Sequence, residues 1–221
     1  AIIRSAKEKT GRNVVVLIDE YDKPILQAIG NEPLQQEFRD TLKAFYGVLK
    51  SADADLKFAL LTGVTKFGKV NVFSDLNNLN DISMDTAFHN IRGLTDEELH
   101  QVFDSEVQLL ADGNEQTKEE AYAMLRRRYD GYHFDRKRSC GVYNPFSVLN
   151  TLSKRTYGSY WFNTGTPTYL VELIKKSDFN IEELSNYVAS EDQLNSIHVD
   201  SIDPIPVLFQ SGYLTIAEYD Q

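Results

Sequence analysis

The feature that most constrains the fold is a run of five apolar residues, Val14 to Ile18, which ends in two adjacent carboxylates, Asp19 and Glu20. A continuous apolar run of this kind, rich in β-branched residues, predicts a parallel β-strand that is buried on both faces. Pro24 follows closely and suits the first turn of a helix, where its missing N–H costs nothing. The segment therefore predicts a strand, a turn carrying two acidic side chains, and a helix.

These two carboxylates allow two interpretations. In an open α/β sheet, ligands bind outside the carboxyl ends of the strands, which is where Asp19 and Glu20 would stand. A Walker-B site needs this pattern: Asp19 would hold Mg²⁺ directly or through water, and Glu20 would orient or deprotonate the attacking water. The alternative is that both acids merely begin the next helix, because acidic residues are favoured near helix N-termini.

Composition narrows the class of protein. The chain has 221 residues, of which 42% are apolar, enough for one sizeable core or two small ones. We expect no membrane span, because no apolar run reaches about 18 residues. The single Cys140 excludes an intramolecular disulfide and a cysteine zinc site, and favours a cytoplasmic protein. The net charge of −10 argues against a broad nucleic-acid-binding face, although not against a local one.

Apolar periodicity extends the first prediction to a βαβ unit. The first ten residues look like the end of a helix closed by Gly11, and they resemble neither a signal peptide nor an initiator methionine, so we expect residue 1 to be an internal cut. Between Leu34 and Lys50 apolar residues recur with a helical period, and Leu56 to Thr62 predicts a second buried strand. Strand, helix and strand over residues 13–62 predict a parallel pair.

The segment Gly63 to Val70 has the spacing of a phosphate-binding loop, G-x-x-x-x-G-K. A true loop of this type continues with Ser or Thr, whose hydroxyl binds Mg²⁺, but Val70 occupies that position. We therefore predict an irregular loop after the second strand, with Thr62, Thr65 and Lys66 forming a polar group that faces the γ-phosphate. The alternative for Lys66 and Lys69 is a solvated loop.

Beyond about residue 90 the pattern becomes helical. Thr95 and Thr117 each begin a capping box, and Asn144 precedes a proline that suits a helix start. The predicted segments are helices from 95 to about 110, from 117 to about 129, from 145, over 167–176 and over 180–188, and a helix over 204–211 followed by a turn and a strand to 217.

Other motifs have ordinary explanations as well as functional ones. Gly165 to Pro167 suits a helix start, with glycine in the turn and proline at the first position. Arg126 to Arg128 and residues 136–138 bracket an aromatic segment and could bind nucleic acid, but a solvated basic helix end is favoured in so acidic a chain. The four histidines show no metal-ligand spacing, and no serine-hydrolase motif occurs.

Five motifs follow one another along the chain: Val16 to Pro24, Thr62 to Phe67, Leu76 to Ile82, Tyr129 to Phe134 and Val142 to Asn150. Together they resemble the bacterial predicted AAA-ATPase-like family, over nearly the whole chain. The resemblance implies that Asp19 and Glu20 are the Walker-B pair of a P-loop ATPase that uses ATP and Mg²⁺.

The same resemblance implies parts outside these residues: a Walker-A loop upstream and a PD-(D/E)XK nuclease-like domain downstream. Gly165 and Pro167 then look like the G-x-P motif of related STAND-type ATPases, which touches the nucleotide from a helical lid. Residues 195–219 look like the start of a winged helix. Arg126 to Arg128, or Arg155, are candidates for an arginine finger.

The resulting hypothesis is an α/β chain with a partial P-loop core over 1–92, a helical lid over 93–194 and a partial winged helix over 195–221. It would serve as a nucleotide-driven conformational switch in a longer protein and would be inactive by itself. The rival hypothesis is a non-catalytic scaffold or interaction module on an ATPase fold, which could touch nucleic acid. An intact Walker-A loop upstream would favour the enzyme.

Overall fold

The computed structural model describes residues 2–66, 78–135, 140–161, 170–171, 174–175, 180, 184, 187–195 and 203–219. The chain divides into two compact units, Ala1–Leu79 with Thr168–Leu214, and Asn80–Pro167 with Thr215–Gln221. The helices and strands that are described run in the order α1 (Ile2–Thr10), β1 (Val14–Ile18), α2 (Lys23–Gln27), α3 (Glu32–Ser51), β2 (Leu56–Leu61), α4 (Asp96–Val102), α5 (Asp104–Gly113), α6 (Lys118–Tyr129), α7 (Pro145–Lys154), α8 (Glu191–Asn195) and α9 (Pro204–Gln210).

The first unit contains a two-stranded parallel sheet. β1 pairs with β2 in the register Val15 with Phe58 through Ile18 with Leu61. The connection between them contains α2 and α3, so the predicted βαβ unit and its mixed α/β class are confirmed. Asn31 begins α3 by accepting a hydrogen bond from the backbone N–H of Leu34, at 3.3 Å.

One face of this sheet lies on the core of the first unit, and the other is exposed. Val16 and Ile18 pack towards a cluster built by α2, α3 and α9, with Ile25, Leu26, Tyr46, Leu49, Leu170, Val207 and Leu208 at its centre. The side chains of Val15 and Leu17 point the other way and are 50% and 70% exposed. The prediction that β1 is buried on both faces is therefore wrong, because these helices all lie against the same face.

The described residues of the second unit contain the four helices α4 to α7. Both predicted capping boxes are present: Thr95 caps α4 with Glu98, and Thr117 caps α6 with Glu120. The predicted helix from residue 95 to about 110 is broken at Phe103, where Asp104 begins α5. The core of this unit contains Leu99, Val107, Leu110, Ala111, Ala121, Leu125, Tyr129, Tyr143, Val148 and Leu152.

The end of the described chain follows the prediction only in part. The helix α9 forms, but the strand expected up to Ala217 does not, and residues 213–219 are irregular. The backbone N–H groups of Tyr213 and Leu214 donate to the carbonyl of Leu208, at 2.8 and 3.1 Å. The chain therefore folds back against the end of α9. The helices predicted over 167–176 and 180–188 lie mostly outside the described residues. Within the described part, no helix combines the length and apolar character that a membrane crossing requires.

Candidate functional site

Asp19 and Thr62 meet at the carboxyl ends of β1 and β2. The backbone N–H of Thr62 donates to the carbonyl of Ile18 at 2.8 Å, and the N–H of Tyr21 donates to the carbonyl of Thr62 at 2.9 Å. The Thr62 hydroxyl donates to Oδ1 of Asp19. The predicted juxtaposition of the two strand ends is confirmed, and it places a hydroxyl on a carboxylate at the edge where α/β sheets bind ligands.

Glu20 follows Asp19 in a left-handed backbone conformation, with φ of +53°. This conformation costs a residue with a Cβ about 1–2 kcal/mol. The backbone N–H of Glu20 donates to Oδ1 of Asp19 at 3.0 Å, and its Oε2 lies 2.6 Å from the Lys23 ammonium. The hydrogen bond that Lys23 donates to Glu20 and the negative charge of Glu20 both raise the pKa of Lys23. Strained residues of this kind cluster at functional sites.

A buried aspartate that the sequence analysis did not single out joins the two strand ends. Asp22 is fully buried. Its Oδ2 accepts the backbone N–H and the hydroxyl of Thr65 at 2.5 and 2.7 Å, and its Oδ1 accepts the N–H of Val64 at 3.2 Å. The only sequence feature that marks Asp22 is its position directly before α2, where an aspartate normally caps the helix that it precedes. Asp22 makes no such cap and uses its oxygens across the site instead.

Close packing reinforces this junction. A Cβ added to Gly63 would lie 2.6 Å from Oδ1 of Asp22 and 2.7 Å from Cε1 of Tyr21. The hydroxyl of Tyr21 donates to the carbonyl of Thr65 at 2.8 Å. Burial raises the pKa of Tyr46, and the charge of Asp22 adds to this effect. The loop after β2 is therefore tied to the turn after β1 by both hydrogen bonds and shape.

Lys66 is held by the C-terminal helices of the same unit. Its backbone N–H donates to Oε1 of Gln210 at 2.5 Å, and its ammonium donates to Oδ1 of Asn195 at 3.3 Å. Gln210 in turn donates to the carbonyl of Leu194 at 2.7 Å. The predicted irregular loop after β2 is present through Lys66, whereas Gly68, Lys69 and Val70 lie outside the described residues.

The donors at this edge suit a small hard cation. Asp19, Glu20 and Thr62 offer carboxylate and hydroxyl oxygens, and Mg²⁺ is usually held by one or two protein carboxylates together with water and substrate phosphates. The described residues contain no group of three or more His, Cys, Asp or Glu arranged around a common metal position. Gly165 and Pro167, the predicted nucleotide contacts, lie outside the described residues.

The arginine-finger candidates belong to the second unit. Arg126 is paired with the Asp96 carboxylate at 2.6 Å, and the Tyr143 hydroxyl donates to the same carboxylate at 2.7 Å. Hydrogen bonds to Tyr143 and Asp96 raise the pKa of Arg126. Arg155 ends α7 in a left-handed conformation, with φ of +53°. Arg126 is thus part of an ion pair within its own unit.

One comparison with known proteins relates the first part of the chain to a family of predicted ATPases. Residues 1–73 match the family model described as Predicted AAA-ATPase, which confirms the resemblance over that range. The chain is 40% identical over 217 residues to a protein of Azotobacter chroococcum mcd 1 described as "Uncharacterized protein in vnfD 5'region". This match covers 98% of the chain and 40% of the relative, so the chain spans well under half of the relative's length. No solved structure matches. The segment carrying Asp19, Glu20, Thr62 and Lys66 is therefore similar to predicted AAA-ATPases.

Proposed function

We propose that the edge formed by Asp19, Glu20 and Thr62 is the Walker-B side of an Mg-ATP site, in a protein that uses nucleotide hydrolysis to switch conformation. The observation that carries this proposal is the hydrogen bond from Thr62 to Asp19 between the ends of two parallel strands, followed directly by a strained glutamate. The family match over residues 1–73 supports it. A pair of acids that merely began a helix would not require the left-handed backbone of Glu20.

Each residue has a defined role in this proposal. Asp19 holds Mg²⁺, which neutralises charge on the β- and γ-phosphates when it is bound. Thr62 orients the Asp19 carboxylate, and Lys66 contacts the γ-phosphate after leaving Asn195. Glu20 polarises the attacking water through Oε1, because the Lys23 ammonium engages Oε2. A positioned base of this kind contributes about 10²–10⁴ in rate.

The remaining parts of the site are proposed from the family resemblance alone. The phosphate-binding Walker-A loop comes from outside residues 1–221, as does a nuclease-like domain. Gly165 and Pro167 touch the nucleotide from the lid, and residues 195–219 contribute to a winged helix. Residues 1–221 by themselves should therefore bind ATP weakly, because the Walker-A loop and its lysine supply much of the grip on the phosphates.

Substitutions at the two carboxylates test the proposal in a chain that includes the Walker-A loop. Glu20→Gln should retain Mg-ATP binding and release phosphate about 10²–10⁴ times more slowly. Asp19→Ala should weaken the Mg²⁺-dependent part of binding. Glu115→Gln is the matched control, because Glu115 also has a left-handed backbone, with φ of +56°, but belongs to the second unit. Unchanged turnover in the Glu20 variant would remove it from the catalytic role.

A comparison of chain lengths separates the proposal from its rivals. Phosphate release should be far slower for residues 1–221 than for the chain extended to include the Walker-A loop. Equal activity would point to Gly63 to Val70 as the phosphate loop. Absence of ATP binding in the extended chain would favour the scaffold instead.

A further inference from the structure

The second unit presents a group of cations beside two tyrosine rings. We call this the basic–aromatic patch. Arg127 and Arg128 lie in the last turn of α6, and Lys154 and Arg155 lie at the end of α7, and all four are exposed. The tyrosines follow α7 directly. The members of the patch are Arg127, Arg128, Lys154, Arg155, Tyr157 and Tyr160.

The cations of the patch differ from their neighbours in what they contact. Elsewhere in the unit, Arg126 pairs with Asp96, and Lys118 pairs with Asp104. Among the described residues, no carboxylate forms an ion pair with any of the four patch cations. Arg127 and Arg128 instead donate to the sulfur of Met124, at 3.1 and 3.4 Å.

Aromatic rings hold two of the four cations in place. The guanidinium of Arg128 lies 5.7 Å from the centre of the Tyr157 ring, and the ammonium of Lys154 lies 4.5 Å from that of Tyr160. Both distances are within the range of a cation–π contact. Lys154, Tyr157 and Tyr160 belong to one short segment, so both pairs depend on the position of that segment.

The segment that carries the tyrosines is held by the hydroxyl groups of Tyr129 and Tyr157. Tyr129 donates to the carbonyl of Gly158 at 2.9 Å and accepts the N–H of the same residue at 3.0 Å. The Thr151 hydroxyl also donates to Tyr129, at 2.8 Å. The hydroxyl of Tyr157 donates to Gln116 at 3.0 Å. The patch is therefore organised before any ligand arrives, which lowers the entropic cost of binding.

Helix dipoles account for only part of this charge. Each helix C-terminus carries about half a negative charge, so the ends of α6 and α7 together would be neutralised by about one cation. The patch contains four cations. The excess cations lie in a chain whose net charge is −10, where such a local reversal of sign needs a reason. Flat rings beside cations suit a ligand with both phosphates and planar bases.

We propose that the basic–aromatic patch binds single-stranded nucleic acid. Phosphates contact the four cations, and unstacked bases lie on the Tyr160 ring and the Arg128 guanidinium, as in other proteins that bind single strands. This interaction is independent of the nucleotide site. An acidic polypeptide would satisfy the cations but would leave the rings unused. Repulsion from the rest of the acidic chain confines the contact to a few nucleotides and makes it sensitive to salt.

Fluorescence anisotropy with a fluorescein-labelled dT15 oligonucleotide tests the proposal on residues 1–221. For four phosphates, log K should fall with log salt concentration at a slope of about −3, at about −0.7 per phosphate on a single strand. The double variant Arg128→Glu with Lys154→Glu should lose at least about tenfold in affinity at low salt. Tyr160→Leu should lose about fivefold, because stacking on aromatic rings contributes to single-strand binding.

A matched control separates the patch from net charge. Lys9 and Lys50 are exposed cations in the last turns of α1 and α3, and reversing both changes the net charge by the same amount. That control should retain binding, and circular dichroism should show that every variant is folded. Equal loss in the control, or no loss in the patch variant, would overturn the proposal. Equal binding of a 15-residue polyglutamate peptide or of a 15-base-pair duplex would also overturn it.

Discussion

The carboxylate of Asp22 accepts both the backbone N–H and the hydroxyl of Thr65, across the ends of two parallel strands. Both residues are almost entirely buried, so water does not compete for these hydrogen bonds. The contact sets the path of the chain from Thr62 to Lys66, and therefore the position of two residues of the proposed site. Asp22 is thus a positioning residue for the candidate site, although it does not face the proposed ligand.

Replacing Asp22 with asparagine should lower the free energy of unfolding by about 1–3 kcal/mol, because a buried N–H group loses its acceptor. Thr65→Val should lower it by about 1 kcal/mol through the loss of one hydroxyl donor. Urea unfolding of both variants and of the double variant measures the coupling between them. If the two effects simply added, the residues would not share the interaction described here.

Gly63→Ala should destabilise the protein by about 1–3 kcal/mol, because its methyl group would overlap the Asp22 carboxylate and the Tyr21 ring. Gly47→Ala is the matched control, since a Cβ there meets nothing within 4 Å. Gly47 lies inside α3, where alanine is favoured over glycine by about 0.8–1 kcal/mol. Thermal or urea unfolding should therefore shift in opposite directions for the two variants. A stable Gly63→Ala protein would show that the junction is looser than described.

Glu20→Gly should leave the free energy of unfolding unchanged or raise it by up to about 1 kcal/mol. Glycine relieves the left-handed strain of about 1–2 kcal/mol but loses about 0.5–1 kcal/mol in backbone entropy. The exposed ion pair with Lys23 contributes little. Glu115→Gly should behave in the same way under urea unfolding, since its φ is +56°. Only the Glu20 variant should also lose ATP turnover, measured in a chain that includes the Walker-A loop. If Glu20→Gly lowered the free energy of unfolding by more than about 1 kcal/mol, Glu20 would be required for the structure.

Asp96→Asn should destabilise the protein at pH 7 but not in strong acid. Partial burial raises the pKa of the Asp96 carboxyl, but hydrogen bonds from Tyr143 and Arg126 and the charge of Arg126 outweigh this and hold it below its ordinary value of 3.8. Because the folded-state pKa is depressed, the contribution to stability is present above about pH 4 and is lost as the pH falls through the folded-state value. The difference between wild type and variant should therefore shrink progressively as the pH falls below 3.8.

Urea unfolding at pH 7, 4 and 2.5 measures this dependence. Asp112→Asn is the control, because its carboxylate accepts from the neutral amide of Gln108, at 2.8 Å. A gap between wild type and the Asp96 variant that stayed constant with pH would mean that charge is not what stabilises the contact.

The sequence was sufficient to predict the helices and strands that depend on local residue patterns. Apolar runs marked β1 and β2, the period of apolar residues marked α3, and the capping boxes marked the starts of α4 and α6. The adjacency of Asp19 and Thr62 followed from topology, because parallel strands joined by a helix place their carboxyl ends at one edge.

Contacts between distant parts of the chain could not be predicted in this way. Asp22 occupies the position of an ordinary helix-start acid, and only the folded chain brings Thr65 to it. The exposure of Val15 and Leu17 depends on which sheet face the helices cover, and an apolar run alone does not encode that choice. The prediction of a strand after Gly212 was wrong for a related reason. A β-strand needs a partner strand, and a single sequence does not show whether one exists.

The absence of space at Gly63 has a consequence for how such a chain can vary over evolutionary time. Because its α-carbon faces the Tyr21 ring and the Asp22 carboxylate, position 63 can accept a side chain only after both groups change size or position. Thr65 donates two hydrogen bonds to Asp22, so a change at either position alters the hydrogen bonding of the other. In an alignment of related chains, these positions should therefore vary as correlated pairs, even where the rest of the loop drifts freely.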